Sequence, residues 1–214
     1  MPGMRSLPLA EVKHLLDALP AKYAALLAIG ITTGCRISEV LALRRFDLLK
    51  NDGTMKEEIS FIVLKKKPKK YKKSKQNVLN VPPKNKHRKL SIPTDFHCYI
   101  LRHLKMEEQR GFERPDDYVF RGKSGKHLSR QSAYRTFLRQ LGSGYGTHFM
   151  RKTFAQEIFR FFLNENIRDP MRALELTRQA LDHARLDTTV KYLGITSNAI
   201  RNAQEAIFNM KEMR

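Results

Sequence analysis

The sequence is short of acids, of cysteine and of long apolar runs, and each shortage excludes a class of protein. Asp and Glu total 21 against 41 Lys and Arg in 214 residues, a formal net charge of +20. Solubility alone needs much less charge. The imbalance favours a polyanionic partner, nucleic acid before an anionic membrane. The two cysteines, Cys35 and Cys98, give neither a disulfide framework nor a metal-ligand spacing, so a reducing, intracellular compartment is expected. The apolar run at Leu26–Ile31 is far too short to cross a bilayer, and nothing resembles a signal peptide. No GxxxxGKS/T loop, carboxylate cluster or internal repeat is visible. What remains is a chain with 41% hydrophobic residues, enough to bury the core of one domain.

The hydrophobic period divides that chain. Leu9, Val12, Leu15, Leu16 and Leu19 recur at helical spacing behind Pro8, and Ala21–Ile31 is a more fully buried second helix. Thr33-Gly34 breaks the pattern, Ser38–Arg45 resumes it, and Asn51-Asp52-Gly53 is a turn. The period then changes to that of strands, at Ile59–Leu64, Val78–Val81 and Leu90–Ile92. Helical faces return with Phe96, Ile100, Leu101 and Leu104; with Tyr134, Phe137, Leu138 and Leu141; and with Met150, Phe154, Ile158 and Phe161. Pro170 opens a further helix ending near Leu181, and Ser197–Met213 is a last one. The expected fold is α+β, mainly α-helical, with a small three-stranded antiparallel sheet inserted.

The charge is concentrated within that sheet. Residues 65–89 hold 12 of the 41 Lys and Arg and no acid. Within them Lys65, Lys66, Lys67, Lys69, Lys70, Lys72, Lys73 and Lys75 are too charged to pack and are interrupted by Pro68, which reads as a solvated loop joining two strands. One reading is a disordered solubilising stretch. The favoured one is a clamp on the DNA backbone, with Lys86 and Arg88, giving salt-dependent affinity and little sequence preference.

Elsewhere, residues that suit phosphate chemistry stand in order. Thr33-Gly34-Cys35-Arg36 sets an arginine at a helix start, with Glu39 one turn on to hold it. His148 and Arg151 share a helix face. His183 precedes Tyr192 across a short polar turn. Singly these are weak signals: His183 alone reads equally as a helix C-terminal cap, and Tyr192 as a half-buried aromatic. A phenol of pKa ~10 is moreover a poor nucleophile at neutral pH without cations and proton carriers around it.

Taken in order and with their flanks, these segments resemble the catalytic domain of the tyrosine recombinase (phage integrase) family, from roughly Leu7 to Gly194. The family's TGxR corresponds to Thr33–Arg36, its HxxR to His148–Arg151, and its LGH…TTxxY to Leu181–Tyr192. The family's hairpin lysine lies eight or nine residues before an Ile-Pro; against Ile92-Pro93, Lys84 fits best and Lys86 is the competitor. The resemblance implies a site-specific recombinase (integrase, invertase or resolvase) of a mobile genetic element. Its chemistry is cutting and rejoining of DNA through a 3′-phosphotyrosine. Arg36 and Arg151 grip the phosphate, Tyr192 attacks, Lys84 protonates the leaving 5′-oxygen, His148 takes the tyrosine proton and His183 donates a hydrogen bond. No cofactor, metal or nucleotide is implied. Rival readings are relaxation of DNA in the manner of a type IB topoisomerase, and a basic DNA-binding protein whose catalytic set has decayed.

The implied setting is double-stranded DNA in the cytoplasm of a prokaryotic cell, or of one carrying its phage or plasmid. There a homotetramer assembles on two sites from a free monomer, with accessory DNA-bending proteins. Residues 1–194 are the expected catalytic domain, with the sheet and its loop at 51–93. Residues 195–214 are expected to form a helix that docks on a neighbouring protomer or packs in cis, and no N-terminal DNA-binding domain is expected before Leu7. One departure stands out: Asp182 replaces the glycine usual before His183, which is tolerable at positive φ because aspartate is among the better non-glycine residues there.

Overall fold

Pro8 and Pro20 each stand one residue ahead of a helix, where a missing N–H is no loss. A computed structural model describes residues 5–63, 87–123, 125–164 and 169–194. Helix α1 (Leu9–Ala18) is amphipathic and buries Val12 and Leu16. Helix α2 (Ala21–Thr33) is buried from Ala24 to Ile31 and forms the central rod of the domain. It ends at Gly34, whose φ of 60° closes the helix through a bond from its N–H to the Gly30 carbonyl (3.1 Å).

The helix expected over Ser38–Arg45 is instead two short ones, α3 (Ile37–Leu41) and α4 (Arg45–Leu48). The reason is local. Glu39 Oε2 accepts from the Arg36 N–H and Asp47 Oδ2 from the Arg44 N–H, both at 2.8 Å, so each acid starts its own helix. The turn expected at 51–53 is present, with Gly53 at φ 80°.

Strand β1 (Ile59–Ile62) pairs antiparallel with β2 (His87–Leu90), Ile59 facing Leu90 and Ile62 facing His87. The second strand therefore lies upstream of the apolar run at Leu90–Ile92 that suggested it. Its residues alternate between exposed and half-buried, with His87 and Lys89 outward and Arg88 and Leu90 inward, so polarity hid a strand that covers one side of the sheet. Ile92 is buried beyond the ladder. The sheet has two strands among the described residues; the third, expected at Val78–Val81, lies outside them.

A 3-10 turn (Thr94–Phe96) leads into α5 (His97–Glu108), which packs on α2. Ser129 caps α6 (Arg130–Leu141) by accepting from the Ser132 N–H (3.1 Å). Then come α7 (Phe149–Asn164), α8 (Pro170–Ala180) and α9 (Leu186–Leu193). Asp169 caps α8, with Pro170 at the first helical position as expected.

Two hydrophobic clusters result. The larger gathers α1, α2, α3, α5 and α6 around Phe61, Phe120, Phe137 and Phe149. The smaller unites Ala155, Leu174, Leu181 and Leu193 from the last three helices. Helix α7 belongs to both: Phe149 and Met150 at its start enter the first, Ala155 the second. Its approach to α2 depends on glycine, because a Cβ at Gly30 would lie 2.5 Å from Met150 Sδ. Gly30→Ala is therefore expected to destabilise the domain by about 1–3 kcal/mol, as overpacking does, read from urea unfolding; an unchanged midpoint would show that α7 is free to move away.

Candidate active site

Arg36 is the residue before α3, and its position is fixed twice by the buried Glu39. One carboxylate oxygen takes the backbone N–H, and the other pairs with Nη1 at 3.1 Å. The arginine side chain stays 38% exposed while the Glu39 side chain is almost wholly enclosed. The carboxylate is thus a built-in support and the guanidinium faces outward.

Arg151 is the opposite. On the first turn of α7 and 2% exposed, it donates through Nη1 to the carbonyl of Gly34 and through Nη2 to the carbonyl of Leu181. A guanidinium carries five N–H donors, so two carbonyls do not exhaust it. His148 stands just before α7 rather than within it, its carbonyl accepting from the Lys152 N–H (3.0 Å). Its ring Nδ1 lies 3.1 Å from the hydroxyl of Tyr192, 44 residues along the chain.

His183 follows the end of α8 through Asp182, the one non-glycine residue with positive φ (50°) among the described residues. The turn is held at both ends: the His183 N–H donates to the Arg178 carbonyl (3.1 Å), and Arg178 Nη1 donates to the His183 carbonyl (2.6 Å). The buried imidazole meets Thr189 Oγ1 through Nδ1 (3.0 Å) and lies beside the Tyr192 ring, centroids 5.1 Å apart. With Nδ1 turned to a hydroxyl, Nε2 is the nitrogen left to face a substrate. Tyr192 itself sits on the last turns of α9, half-buried, with the Arg151 guanidinium 6.0 Å from its ring centre.

Electrostatics tie these residues together. Burial first, then repulsion from Arg36, lowers Arg151 from 12.5 to about 10, so it stays cationic at neutral pH. Burial, then the charges of Arg151 and Arg36, lowers His183 to about 4. Desolvation, then Arg151, Arg130 and Arg36, lowers His148. Both imidazoles are therefore neutral at pH 7. A cluster in which each cation depresses its neighbours is one that an anion would relieve. Cys35 adjoins the cluster, but burial raises its thiol to about 11, which leaves it protonated and unreactive.

Five of the six expected catalytic residues are thus brought together: Arg36, His148, Arg151, His183 and Tyr192. Lys84, its competitor Lys86 and the lysines at 65–75 lie outside the described residues. Arg88, grouped with the DNA-facing cations on sequence, points inward instead, Nη2 donating to the Ala180 carbonyl (2.7 Å). Three contributors escaped sequence reasoning in this role: Arg88, Arg178 and Thr189. A basic residue in the last turn of a helix was a usable signal for Arg178. The pairing of Thr189 with a histidine six residues earlier depends on the turn between them and has no periodic signature. Among the described residues no group of three His, Cys, Asp or Glu side chains is placed to hold a metal ion, and no helix is long and apolar enough to cross a membrane.

Comparison with known proteins places this geometry. No curated protein matches the sequence. Among solved structures, the chain is similar to the XerA recombinase, with a TM-score of 0.61 at 19% identity over 96% of this chain and 66% of that one. It is similar to the XerH site-specific recombinase bound to its difH substrate, with a TM-score of 0.57 at 20% identity over 89% and 50%. It is also similar to the Tn1549 transposon integrase in complex with transposon right-end DNA, with a TM-score of 0.56 at 15% identity over 93% and 64%. At these identities the likeness is one of fold, and the chain spans between half and two thirds of each of those proteins. The model of the phage integrase family matches residues 5–198, a span that takes in every one of the five gathered residues, and the chain belongs to that family.

Proposed function

We propose that this chain is the catalytic part of a site-specific DNA recombinase that breaks and rejoins strands through a phosphotyrosine at Tyr192. The observation that carries the reading is the Tyr192 hydroxyl, 3.1 Å from a neutral histidine and beside two arginines that repel one another. The nucleophile, the proton acceptor and a cationic cluster suited to an anion are adjacent. The solved XerH and Tn1549 integrase structures of the same fold hold DNA.

The chemistry follows from the placement. Arg36, outward and oriented by Glu39, meets a non-bridging oxygen of the scissile phosphate, and Arg151 supports the other from below. As the phosphorus becomes five-coordinate, the added negative charge falls on oxygens already facing these donors. Tyr192 Oη attacks in line, its proton passing to His148 Nδ1 over the existing hydrogen bond. The P–O5′ bond breaks, and the 5′-oxygen takes a proton from a lysine, Lys84 by sequence. His183, neutral and oriented by Thr189, donates from Nε2 to the phosphate. Rejoining is the reverse with a second 5′-hydroxyl as nucleophile, and the tyrosine regains its proton from His148. Each exchange conserves one phosphodiester-type bond, so no nucleotide is hydrolysed. Double-stranded DNA is the substrate, the lysines at 65–75 hold its backbone, and exchange between two sites requires four protomers.

The primary test is a nicked suicide duplex carrying the recognition site. Wild type should accumulate a covalent adduct that survives SDS, and Tyr192→Phe should not. Absence of the adduct from wild type would leave a DNA-binding protein, and relaxation of a single plasmid without site exchange would assign a topoisomerase. The lysine is identified separately: replacing the bridging 5′-oxygen by sulfur, a better leaving group, should rescue Lys84→Ala. Rescue of Lys86→Ala in its place would transfer the role.

The neutral histidines set the pH dependence. The folded pKa of His183, about 4, lies below its ordinary 6.5, so the unfolded chain binds the extra proton between them. The stability it contributes is complete above pH 6.5 and is lost as the pH falls towards 4. His183→Gln should flatten the denaturation midpoint over that window. For the same reason the acid limb of cleavage at sub-saturating DNA, which reports the free protein, should lie below 6.5 when His148 takes the proton; a limb above that value would mean that another group takes it.

A further inference from the structure

Arg88 is the residue whose placement the reaction scheme above leaves unexplained. It stands in the most basic stretch of the chain, yet its side chain turns away from its exposed neighbours His87 and Lys89 and crosses from β2 to the end of α8. There Nη2 donates to the Ala180 carbonyl at 2.7 Å. Nη1 is buried without a hydrogen-bond partner, the one such side-chain nitrogen or oxygen among the described residues. An arginine present only to stabilise the domain would have its buried donors met. Among the described residues no carboxylate forms an ion pair with it, and its charge instead reaches Cys35 and Arg151.

The carbonyls around it show what it holds. Ala180 accepts from Arg88 on β2, Leu181 from Arg151 on α7, and His183 from Arg178 on α8. Three guanidiniums from three elements thus fix three of the four residues from 180 to 183, the turn that delivers the His183 imidazole. Arg178 closes that turn on its own helix. Arg151 ties it to α7 and Arg88 ties it to the sheet, while the His183 ring meets Thr189 on α9.

We propose that Arg88 is a positioning residue for the strand-transfer site, tying strand β2 to the turn that carries His183 rather than holding DNA. This rests on the recombinase reading for its catalytic consequence, but its structural half is independent of DNA. The charges facing His183 are Arg151, Arg36, Asp182 and Arg178, and all are retained when Arg88 is replaced. Loosening the turn would hydrate the imidazole and carry it away from Arg151, both of which raise its pKa.

The test uses the full chain with Arg88→Gln and Arg88→Lys, each alone and combined with His183→Gln. In DNA-free protein, the NMR titration midpoint of His183 should move up from about 4 towards 6.5 in Arg88→Gln, and less far in Arg88→Lys, which keeps one donor within reach of Ala180. On saturating suicide duplex, Arg88→Gln should form the covalent adduct about 10- to 100-fold more slowly, the range expected of a displaced catalytic group. In the His183→Gln background the same change should have no further effect. Duplex affinity in a mobility-shift assay should stay close to that of wild type. An unmoved His183 midpoint overturns the proposal, as does an equal loss of rate in both backgrounds. So does a loss of affinity with the saturated rate intact, which would return Arg88 to the DNA-backbone clamp. If Arg88→Gln does not fold, the Arg88→Lys midpoint and rate decide by the same criteria. If wild type forms no adduct, the recombinase reading fails, and the His183 midpoint still decides whether Arg88 holds the turn.

Discussion

A buried guanidinium between two helix ends is the constraint on which the rest of this structure depends. Gly34 caps the C-terminus of α2 and Leu181 that of α8, and Arg151 donates to the carbonyls of both. The last carbonyls of a helix lack partners within it and carry the negative end of its dipole. Two such ends pointing at one cation explain how a charge that is 2% exposed is tolerated with no carboxylate bonded to it among the described residues. The same two bonds join the larger core, to which α2 belongs, to the smaller one formed by α7, α8 and α9. The site lies on that seam because the arginine does.

From this follows the division of labour between the two arginines. Arg151 is committed to the fold and is deeply enclosed, so the geometry of its remaining donors is fixed in advance of any ligand. Arg36 has its own acid in Glu39 and remains open to solvent. Burial, with repulsion from Arg151 and Arg36 added to it, keeps both histidines neutral, and an anion entering the cluster would relieve only the second of these. His148 can therefore accept a proton at neutral pH, as its contact with Tyr192 requires. His183 is lowered to about 4, and Thr189 fixes the direction of its ring through Nδ1.

The sequence made the helical frame and the order of the candidate site residues legible because both rest on local chemistry. Proline ahead of α1 and α2, glycine closing α2 and apolar residues at helical spacing are statements about neighbours in the chain. What it concealed depends on contacts across it. Strand β2 is alternately exposed and half-buried, and its polar residues carried no apolar signal, so the expectation settled on the apolar residues just beyond it. The break between α3 and α4 was visible only as two acids, Glu39 and Asp47, each three residues after the N–H it accepts. Arg88 was hidden for a different reason: twelve cations in 25 residues look alike on charge, and only the fold shows that this one turns inward.

Asp182 shows how such a site tolerates a departure from its family's pattern. The turn needs the left-handed conformation, φ 50°, which glycine adopts freely and aspartate more readily than most residues. Acting alone, the carboxylate would undo the electrostatics, since a negative charge beside His183 favours the imidazolium. It does raise the His183 pKa, but ranks below burial, Arg151 and Arg36, all of which lower it, and the net result is still about 4. The carboxylate also favours the charged form of Arg178, whose guanidinium holds the His183 carbonyl. The substitution therefore weakens the phosphate cluster slightly while supporting one of the bonds that fix the turn. Its acceptability depends on the burial of the imidazole and on Arg151 and Arg36 together: each lowers His183 by more than the aspartate raises it, so the ring stays neutral with Asp182 beside it.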